Sequence, residues 1–124
     1  MIKITIPLRL PGLNEYVDVC RKNRFQAANF KKQVENDCLM FIRAGLRGRT
    51  FTQIGITFVW YEKDKRRDKD NIAFAKKFIL DAMQKGNFIA NDGWSQIEYF
   101  KDEFMIDKYN PRVEVLIEEK AGRC

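Results

Sequence analysis

The sequence predicts an α/β (α+β) domain in which two helices pack on a small mixed β-sheet, in the order β-α-β-α-β-β. Its 124 residues are typical of one domain, which we take as residues 1–124. Hydrophobic residues make up 45% of the chain, enough to form a core and to exclude a disordered protein. Segments with a period of two are interleaved with segments of helical period, and this interleaving gives the predicted order.

Four segments show the period-two alternation of a β-strand. They are Ile2–Ile6, Gln53–Tyr61, Ile97–Ile106 and Arg112–Glu118. The second has apolar residues on both faces, which predicts a central position in the sheet. In the third, the alternation slips near Lys101, where we expect a β-bulge. Residues Lys120–Cys124 follow the last strand and are expected to form a frayed tail.

Two longer segments have the periodicity of amphipathic helices. Phe25–Gly45 collects its apolar residues on one side, among them Cys38, which we expect to be a core thiol. Asn71–Lys85 carries a similar stripe, with Asp70 as a candidate N-cap and a glycine directly after its end. The segment Leu10–Asn14 contains proline and glycine and is expected to be a loop.

Histidine is absent from the sequence, and its absence excludes several classes of site. Ser-His-Asp and Cys-His catalysis, two-histidine iron sites and nearly all zinc sites need that side chain. The three cysteines have no Cys-x-x-Cys spacing, so neither a disulfide framework nor a sulfur metal site is indicated. A metal in this protein would need oxygen ligands, which points to Mg²⁺ or Mn²⁺.

Cysteine usage and hydropathy also bear on location. An odd number of cysteines fits a reducing cytoplasm better than an oxidising compartment. Residues 1–11 are too short and too charged for a signal peptide, and no apolar run is long enough to span a membrane. We therefore expect a cytoplasmic protein with no membrane partner.

The net charge of the chain indicates an anionic partner. Lys and Arg number 23 and Asp and Glu number 17, which gives a formal charge of +6. Nucleic acid is the simplest such partner, although basic domains without one are common.

The most informative stretch is the charged loop Glu62–Asn71, between a predicted strand and a predicted helix. It holds an Asp-x-Asp pair, Asp68 and Asp70. The surrounding basic residues, which would attract phosphate, are Lys65, Arg66, Arg67 and Lys69. Two carboxylates this close repel each other, and a divalent cation between them would remove the repulsion. Alternatively, Asp70 only caps the helix and Asp68 pairs with a neighbouring arginine.

A third carboxylate, Asp92, lies in the loop before the third predicted strand. It would complete an oxygen site of three aspartates if the fold brings it to Asp68 and Asp70. It is also consistent with a turn residue in an Asn-Asp-Gly sequence. Both interpretations stay open, because the second helix runs back across the sheet before this loop begins.

Three motifs follow one another along the chain. They are Arg66-Arg67-Asp68-Lys69-Asp70-Asn71, Leu80-Asp81-Ala82-Met83 and Asn91-Asp92-Gly93-Trp94-Ser95-Gln96-Ile97. In this order they resemble the RusA family of Holliday junction resolvases, which are common in bacteriophages and prophages. The segment Pro11-Gly12-Leu13-Asn14 is similar to the family's N-terminal Pro-x-x-Asn. Two departures are Asn91, where many members have a first Asp, and an apparent insertion of Gly93-Trp94.

The resemblance implies a metal-dependent endodeoxyribonuclease that cuts four-way DNA junctions by paired symmetric nicks during recombination and repair. It implies a homodimer and no small-molecule cofactor. By the family pattern Asp68, Asp70 and Asp92 would be the metal-binding and catalytic aspartates. DNA contacts would come from Asn14, Lys65, Arg66, Arg67 and Lys69.

The catalytic lysine that the resemblance implies is Lys77, four residues before Asp81. Lys76 competes with it, because the helix is longer here than in the commoner family pattern. A continuous helical wheel favours Lys77, which lies near Asp70 and Asp81 and away from the apolar stripe.

Two other functions are open at the level of the sequence. One is a non-catalytic basic module that binds DNA, and the other is a nuclease acting on other branched DNA such as forks and flaps. Opened bases could stack on Trp60, Tyr61, Trp94 and Phe100, although such residues more often belong to a core or a dimer interface.

Overall fold

The computed structural model describes residues 1–120, which form a four-stranded mixed β-sheet and four helices. The elements are β1 Ile2–Ile6, α1 Leu13–Lys22, α2 Arg24–Leu46, β2 Gln53–Glu62, α3 Lys69–Ala73, α4 Lys76–Lys85, β3 Ile97–Ile106 and β4 Arg112–Lys120. The α+β class and all four strands are thus as predicted. The order β-α-β-α-β-β was wrong, because it omits α1 and treats α3 and α4 as one helix. Of the predicted tail, Lys120 belongs to β4, and residues 121–124 lie outside the described part of the chain.

The strands lie in the order β1-β4-β2-β3. β2 and β3 are parallel, whereas β4 is antiparallel to both β1 and β2. The predicted central position of β2 is confirmed. Because β2 and β3 are parallel, the charged loop after β2 lies at the same end of the sheet as the end of β3. At that end the backbone N–H of Asp107 donates to the carbonyl of Glu62 at 2.7 Å.

The helices pack on one face of the sheet, and the hydrophobic core lies between the helices and that face. Alternate residues of β2, from Ile54 to Trp60, are buried there against α2 and α4. Burial of each such side chain stabilises the fold by about 1.5–3 kcal/mol. Cys38 of α2 is fully buried in this core, as predicted, and burial raises the pKa of its thiol to about 12. A thiolate is therefore scarce at neutral pH, and Cys38 does not act as a nucleophile.

Helix α1 corrects the predicted loop that follows β1. Only the beginning of that segment is irregular, and Gly12 becomes the N-cap of the helix. The backbone N–H of Gly12 donates to Glu15 Oε1 at 3.4 Å, which helps to hold the first turn. The helix has no fully buried residue; its Tyr16 ring packs against Phe74, with ring centroids 5.6 Å apart. Among residues 1–120, no helix combines the length and apolar character needed to cross a bilayer.

The predicted helix Asn71–Lys85 is divided at Phe74 and Ala75. Tight i→i+3 hydrogen bonds replace the regular pattern there, for example from Lys77 N to the carbonyl of Phe74 at 3.0 Å. The N-cap is Asp68, and Asp70 lies in the first turn, so the prediction of Asp70 as N-cap was wrong. A single helical wheel cannot relate Asp70 to Lys77 across this break.

The irregularity in β3 lies at Glu98 and not at Lys101. Ile54 pairs with Ile97, but the next residue of β2, Gly55, pairs with Tyr99. Glu98 is therefore the extra residue of a β-bulge. Gly55 permits this arrangement, because a Cβ there would lie 2.0 Å from Tyr99 Cε2.

Candidate functional site

The segment before α1 docks on the start of α3. The backbone N–H of Asn14 donates to Asn71 Oδ1 at 2.9 Å. Gly12 approaches so closely that a Cβ would lie 2.5 Å from the same oxygen. Two of the sequence motifs, far apart in the chain, therefore meet through Asn71. The side chain of Asn14 is exposed beside Asp70 and Asn71.

Asp68 and Asp70 open onto two different depressions. The carboxylate of Asp68 makes no capping hydrogen bond to α3, and it lines a cavity of about 490 Å³ together with Lys65, Lys69 and Phe104. Asp70 lines a second, open cavity of about 550 Å³ together with Phe74 and both lysines, Lys76 and Lys77. Asp70 Oδ1 also accepts a hydrogen bond from the adjacent backbone N–H of Asn71 at 2.9 Å.

Lys77 lines the cavity of Asp70 and also approaches Asp92. Its Nζ lies 3.1 Å from Asp81 Oδ1 and 3.8 Å from Asp92 Oδ2. The loop after α4 thus turns back along the helix and returns Asp92 to the helix's first turn. We call Lys77, Asp81 and Asp92 the outer lysine group. The Lys77 side chain is 53% exposed, so the amine is accessible to solvent and to a ligand.

A further cation supports the outer lysine group from α2. Lys31 Nζ lies 3.4 Å from Asp81 Oδ2, the oxygen that does not face Lys77. Burial lowers the pKa of Lys31, but the carboxylates of Asp81 and Glu35 outweigh it and raise the pKa above its ordinary value. Lys31 is therefore cationic at neutral pH, and its ion pair with Asp81 keeps that carboxylate in place beside Lys77.

Lys76, the competing lysine, has a different environment. Its Nζ lies 2.5 Å from Asp102 Oδ2, and the other oxygen of Asp102 accepts from Trp60 Nε1 at 2.9 Å. The amine also lies 4.3 Å from the centroid of the Phe100 ring. We call Lys76, Asp102 and Trp60 the inner lysine group. The Lys76 side chain is only 18% exposed, and its ion pair with Asp102 leaves its amine less accessible than that of Lys77, although Lys76 also lines the cavity of Asp70.

Arg67 is also held inside the fold. Its guanidinium makes a bidentate ion pair with the buried carboxylate of Glu62, at 3.0 Å and 2.7 Å, and donates to the carbonyl of Leu10 at 3.0 Å. Arg9 approaches the same carboxylate at 3.7 Å. The Arg67 side chain is only 11% exposed. Its hydrogen bonds therefore fix the charged loop to the N-terminal segment, and few of its donors remain for phosphate.

The other three predicted DNA-binding cations of the loop are exposed. They are Lys65, Arg66 and Lys69. The Arg66 side chain is 87% exposed and makes only a loose contact with Asp64 at 3.7 Å. Lys69 Nζ lies 5.5 Å from the centroid of Phe104, on the side of the Asp68 cavity. Lys65 and Lys69 line the cavity of Asp68, and Arg66 lies in the same loop.

The predicted aspartates have the right donor chemistry for Mg²⁺ or Mn²⁺, because carboxylate oxygens are the ligands these ions prefer. Asp70 lines the same cavity as Lys77, Asp92 lies 3.8 Å from Lys77, and Asp68 lines the other cavity. Within residues 1–120, no three acidic or cysteine side chains are close enough to hold one ion together. Asp68, Asp70 and Asp92 thus do not form a closed ligand set in this structure.

The sequence did not predict the roles of two carboxylates, Glu62 and Asp102, each of which binds one of two neighbouring cations. Glu62 begins the charged loop of the sequence, and in the structure it is buried and binds Arg67. Asp102 lies in the regular part of β3, opposite Phe58 of β2. A polar residue between Phe100 and Phe104, on the side of the sheet that faces the helices, was the available indication that it has a buried partner.

Comparison of the chain with protein-family models and with curated proteins returned no match. Interpretation of the site therefore depends on its own residues and their geometry.

Proposed function

We propose that this protein is a metal-dependent endodeoxyribonuclease of the RusA type, which cuts four-way DNA junctions. The observation that carries the proposal is the position of Lys77. This lysine lines the same cavity as Asp70 and lies 3.8 Å from Asp92. Asp70 and Asp92, which different motifs nominate, thus both lie near one accessible amine, that of Lys77.

In this proposal Lys77 stabilises the charge that develops on the phosphate during hydrolysis. An accessible ammonium group that is already positioned needs little reorganisation as that charge develops. Asp81 and Asp92 hold the amine in place, and Lys31 holds Asp81. The exposed cations Lys65, Arg66 and Lys69 bind backbone phosphates next to the cut, which gives affinity without sequence preference.

The carboxylates of Asp68, Asp70 and Asp92 would hold Mg²⁺ or Mn²⁺. A bound ion of this kind supplies a Lewis acid and lowers the pKa of water. The chain's own contribution is to present three carboxylates on one surface, between cations that draw in the DNA backbone.

Two symmetric cuts in a four-way junction need two copies of the site related by a two-fold axis. A homodimer is the simplest assembly that provides them. Sedimentation of the protein with and without junction DNA measures this assembly directly.

Substitution of Asp70 by Asn tests the proposal. Asp70→Asn should abolish cleavage of a four-way junction in Mg²⁺ while junction binding survives, because a carboxylate ligand is lost and the phosphate-binding cations remain. Asp64→Asn is the matched control, since Asp64 lies in the same charged loop and, among residues 1–120, contacts only Arg66, through a hydrogen bond from its backbone N–H and a 3.7 Å approach of its guanidinium. Retained cutting by Asp70→Asn would contradict the assignment.

The choice of substrate needs a separate comparison. Junction, fork and linear duplex should be cut at different rates under one salt concentration, with the junction fastest. Salt must be fixed, because about six phosphate contacts give a log–log slope near −5 in affinity. Equal rates on all three substrates would remove the junction selectivity from the proposal.

A non-catalytic DNA-binding module is the second candidate function. The observation that favours it is that both Asp81 and Asp92 are already paired with Lys77, as structural carboxylates are. This candidate predicts no cleavage by the wild type in Mg²⁺ or Mn²⁺ and no heat of metal binding in calorimetry. The nuclease predicts both cleavage and a heat of binding that Asp92→Asn reduces.

A further inference from the structure

Trp94 is the most exposed large hydrophobic side chain in residues 1–120, with 98% of its surface accessible. The other tryptophan, Trp60, is 2% exposed and hydrogen bonded in the inner lysine group. Burial of an aromatic side chain is among the larger contributions that one residue makes to folding. Trp94 makes no such contribution, so the reason for its position lies outside the stability of the fold.

The indole of Trp94 forms one wall of a depression at the start of β3. This depression has a volume of about 350 Å³, and its apolar lining continues through Ile97, Tyr99 and Phe100. Tyr99 and Phe100 pair with Gly55 and Ile56 of β2 and so lie on opposite faces of the sheet, which means that they border the depression from its two sides. β3 is an edge strand, so the depression opens sideways from the sheet. We call it the Trp94 shelf.

The Trp94 shelf adjoins the outer lysine group through Asp92. Asp92 lines the shelf and lies 3.8 Å from Lys77. A DNA strand whose phosphate rests against Lys77 therefore has a neighbouring base within reach of the shelf. Lys101 Nζ also lies 5.2 Å from the centroid of the Tyr99 ring, whereas Lys120 Nζ, at 5.7 Å from it, is paired with Glu98 and Glu118.

We propose that the Trp94 shelf stacks an unstacked or unpaired base at the branch point of the DNA substrate. This inference rests on the proposed function and names the feature of the substrate that the site recognises. Aromatic rings beside cations are the usual platform for bases of opened DNA, because every base presents a π-face and is followed by a phosphate. Bases of a regular duplex are stacked on each other and do not reach such a shelf without being flipped.

A DNA base fits the shelf better than a second copy of this chain does. Lys77 beside the shelf, Lys101 next to the Tyr99 ring and the net charge of +6 favour a polyanionic ligand. The exposed apolar residues also form a short strip bordered by Asp92 and Glu98. Stable interfaces between protein chains usually bury about 800 Å² on each partner, with an apolar centre.

Intrinsic tryptophan fluorescence tests the proposal without any cleavage step. Wild-type protein in EDTA is titrated with a four-way junction, a single-stranded oligonucleotide and a linear duplex at equal phosphate concentrations. The Trp94→Phe variant retains only Trp60 and serves as the blank. The wild-type signal above this blank should be quenched by the junction and the single strand, and much less by the duplex.

Affinity measurements on two alanine variants provide the second readout. Trp94→Ala should weaken junction binding by about 5- to 100-fold, the range expected when a ring that stacks on one base is removed. Its salt slope should stay unchanged, because no phosphate contact is lost. Tyr109→Ala is the matched control, since Tyr109 is an equally accessible aromatic residue that lies away from the shelf, and its affinity should equal that of the wild type.

Several results would overturn the proposal. One is that the duplex quenches the fluorescence as strongly as the junction does. Another is that Trp94→Ala and Tyr109→Ala bind the junction with equal affinity. A third is that the weaker binding of Trp94→Ala accompanies a change in oligomeric state. Cleavage by the wild type without quenching also overturns the base shelf and leaves the nuclease intact. Quenching without cleavage in Mg²⁺ or Mn²⁺ supports the shelf and contradicts the nuclease.

Discussion

The chain has two pairs of neighbouring cations that can be compared, Arg66 with Arg67 and Lys76 with Lys77. In each pair one side chain is largely buried and the other is exposed to solvent. Arg67 and Lys76 turn inward, where Glu62 and Asp102 bind them in largely desolvated surroundings. Arg66 and Lys77 turn outward, where their contacts with carboxylates are longer and their side chains are more than half exposed. Identical residue types at consecutive positions thus have opposite roles.

The difference lies in the partners and not in the cations. An inward cation is fixed by a carboxylate that has lost most of its water, so removing either member leaves a poorly solvated charge. An outward cation keeps its hydration, and its ion pairs contribute little to stability. The outward cations therefore remain available for phosphate. Substitutions of the inward pair should act on stability, and substitutions of the outward pair should act on DNA.

The largest effect is expected for Lys77→Met, which removes the outward lysine of α4. Junction cleavage should fall by about 100- to 1000-fold, because a charge that stabilises the transition state is lost. The free energy of unfolding should fall by no more than about 1 kcal/mol, since the Lys77 side chain is half exposed and Asp81 keeps its ion pair with Lys31. Single-turnover cleavage and urea denaturation measure the two quantities. A loss of stability without a loss of cleavage would reverse the roles assigned to the two lysines.

Arg67→Ala should lower the free energy of unfolding by about 2–4 kcal/mol. The reason is that it leaves the buried carboxylate of Glu62 with only the longer contact to Arg9. Urea denaturation gives the value. In the control Arg66→Ala, stability should be unchanged, and the salt slope of junction binding should fall by about 1. Similar stabilities for the two variants would show that the inward and outward arginines do not differ.

Lys76→Met should lower the free energy of unfolding by about 1–3 kcal/mol. This is less than for Arg67, because Asp102 keeps its hydrogen bond from Trp60 and both ends of the ion pair retain some solvent. The folded protein should still cut junctions. The assay is cleavage measured well below the midpoint of thermal unfolding. Full loss of cutting in a stable Lys76→Met protein would make Lys76 the catalytic lysine.

The smallest expected effect is on the stability of the fold at acidic pH. Hydrogen bonds from Arg112 lower the pKa of Asp107 below its ordinary value. The unfolded state therefore binds a proton more readily at this carboxyl, and the stabilisation is present above about pH 4 and is lost as the pH falls further. Wild-type stability should decline on acidification through this range, and Arg112→Met should show a shallower decline in urea denaturation at several pH values. Parallel declines would exclude Asp107 as a contributor.

Local sequence properties predicted the strands well, since alternation of apolar residues in Gln53–Glu62 or Arg112–Lys120 is a property of the segment itself. Helix α1 was missed because it has no buried stripe and depends on Tyr16 packing against rings from α2, α3 and α4. The break at Phe74 and Ala75 also escaped prediction, because each half of the segment has ordinary helical periodicity.

The candidate site was predictable in its residue types but not in its pairing. Motif spacing nominated Asp68, Asp70, Asp92 and Lys77, and the structure brings the last three around one cavity and one ion pair. Motif spacing could not show that Arg66 is exposed whereas Arg67 is buried, or that Lys76 is paired with Asp102. The deciding carboxylates, Glu62 and Asp102, come from strands, and Asp102 lies 26 residues beyond Lys76 in the chain.

The strand order has a consequence for how the chain folds as it is synthesised. β1 is translated first, yet its hydrogen-bonded neighbour is β4, the last strand of residues 1–120. Until β4 leaves the ribosome, Ile4 and Ile6 have no sheet to join, whereas β2 and β3 can already pair. At roughly 5–20 residues per second, this interval lasts several seconds. We expect β1 to be the last strand protected from hydrogen exchange during synthesis, and nascent chains that stop before Arg112 to expose it to chaperones.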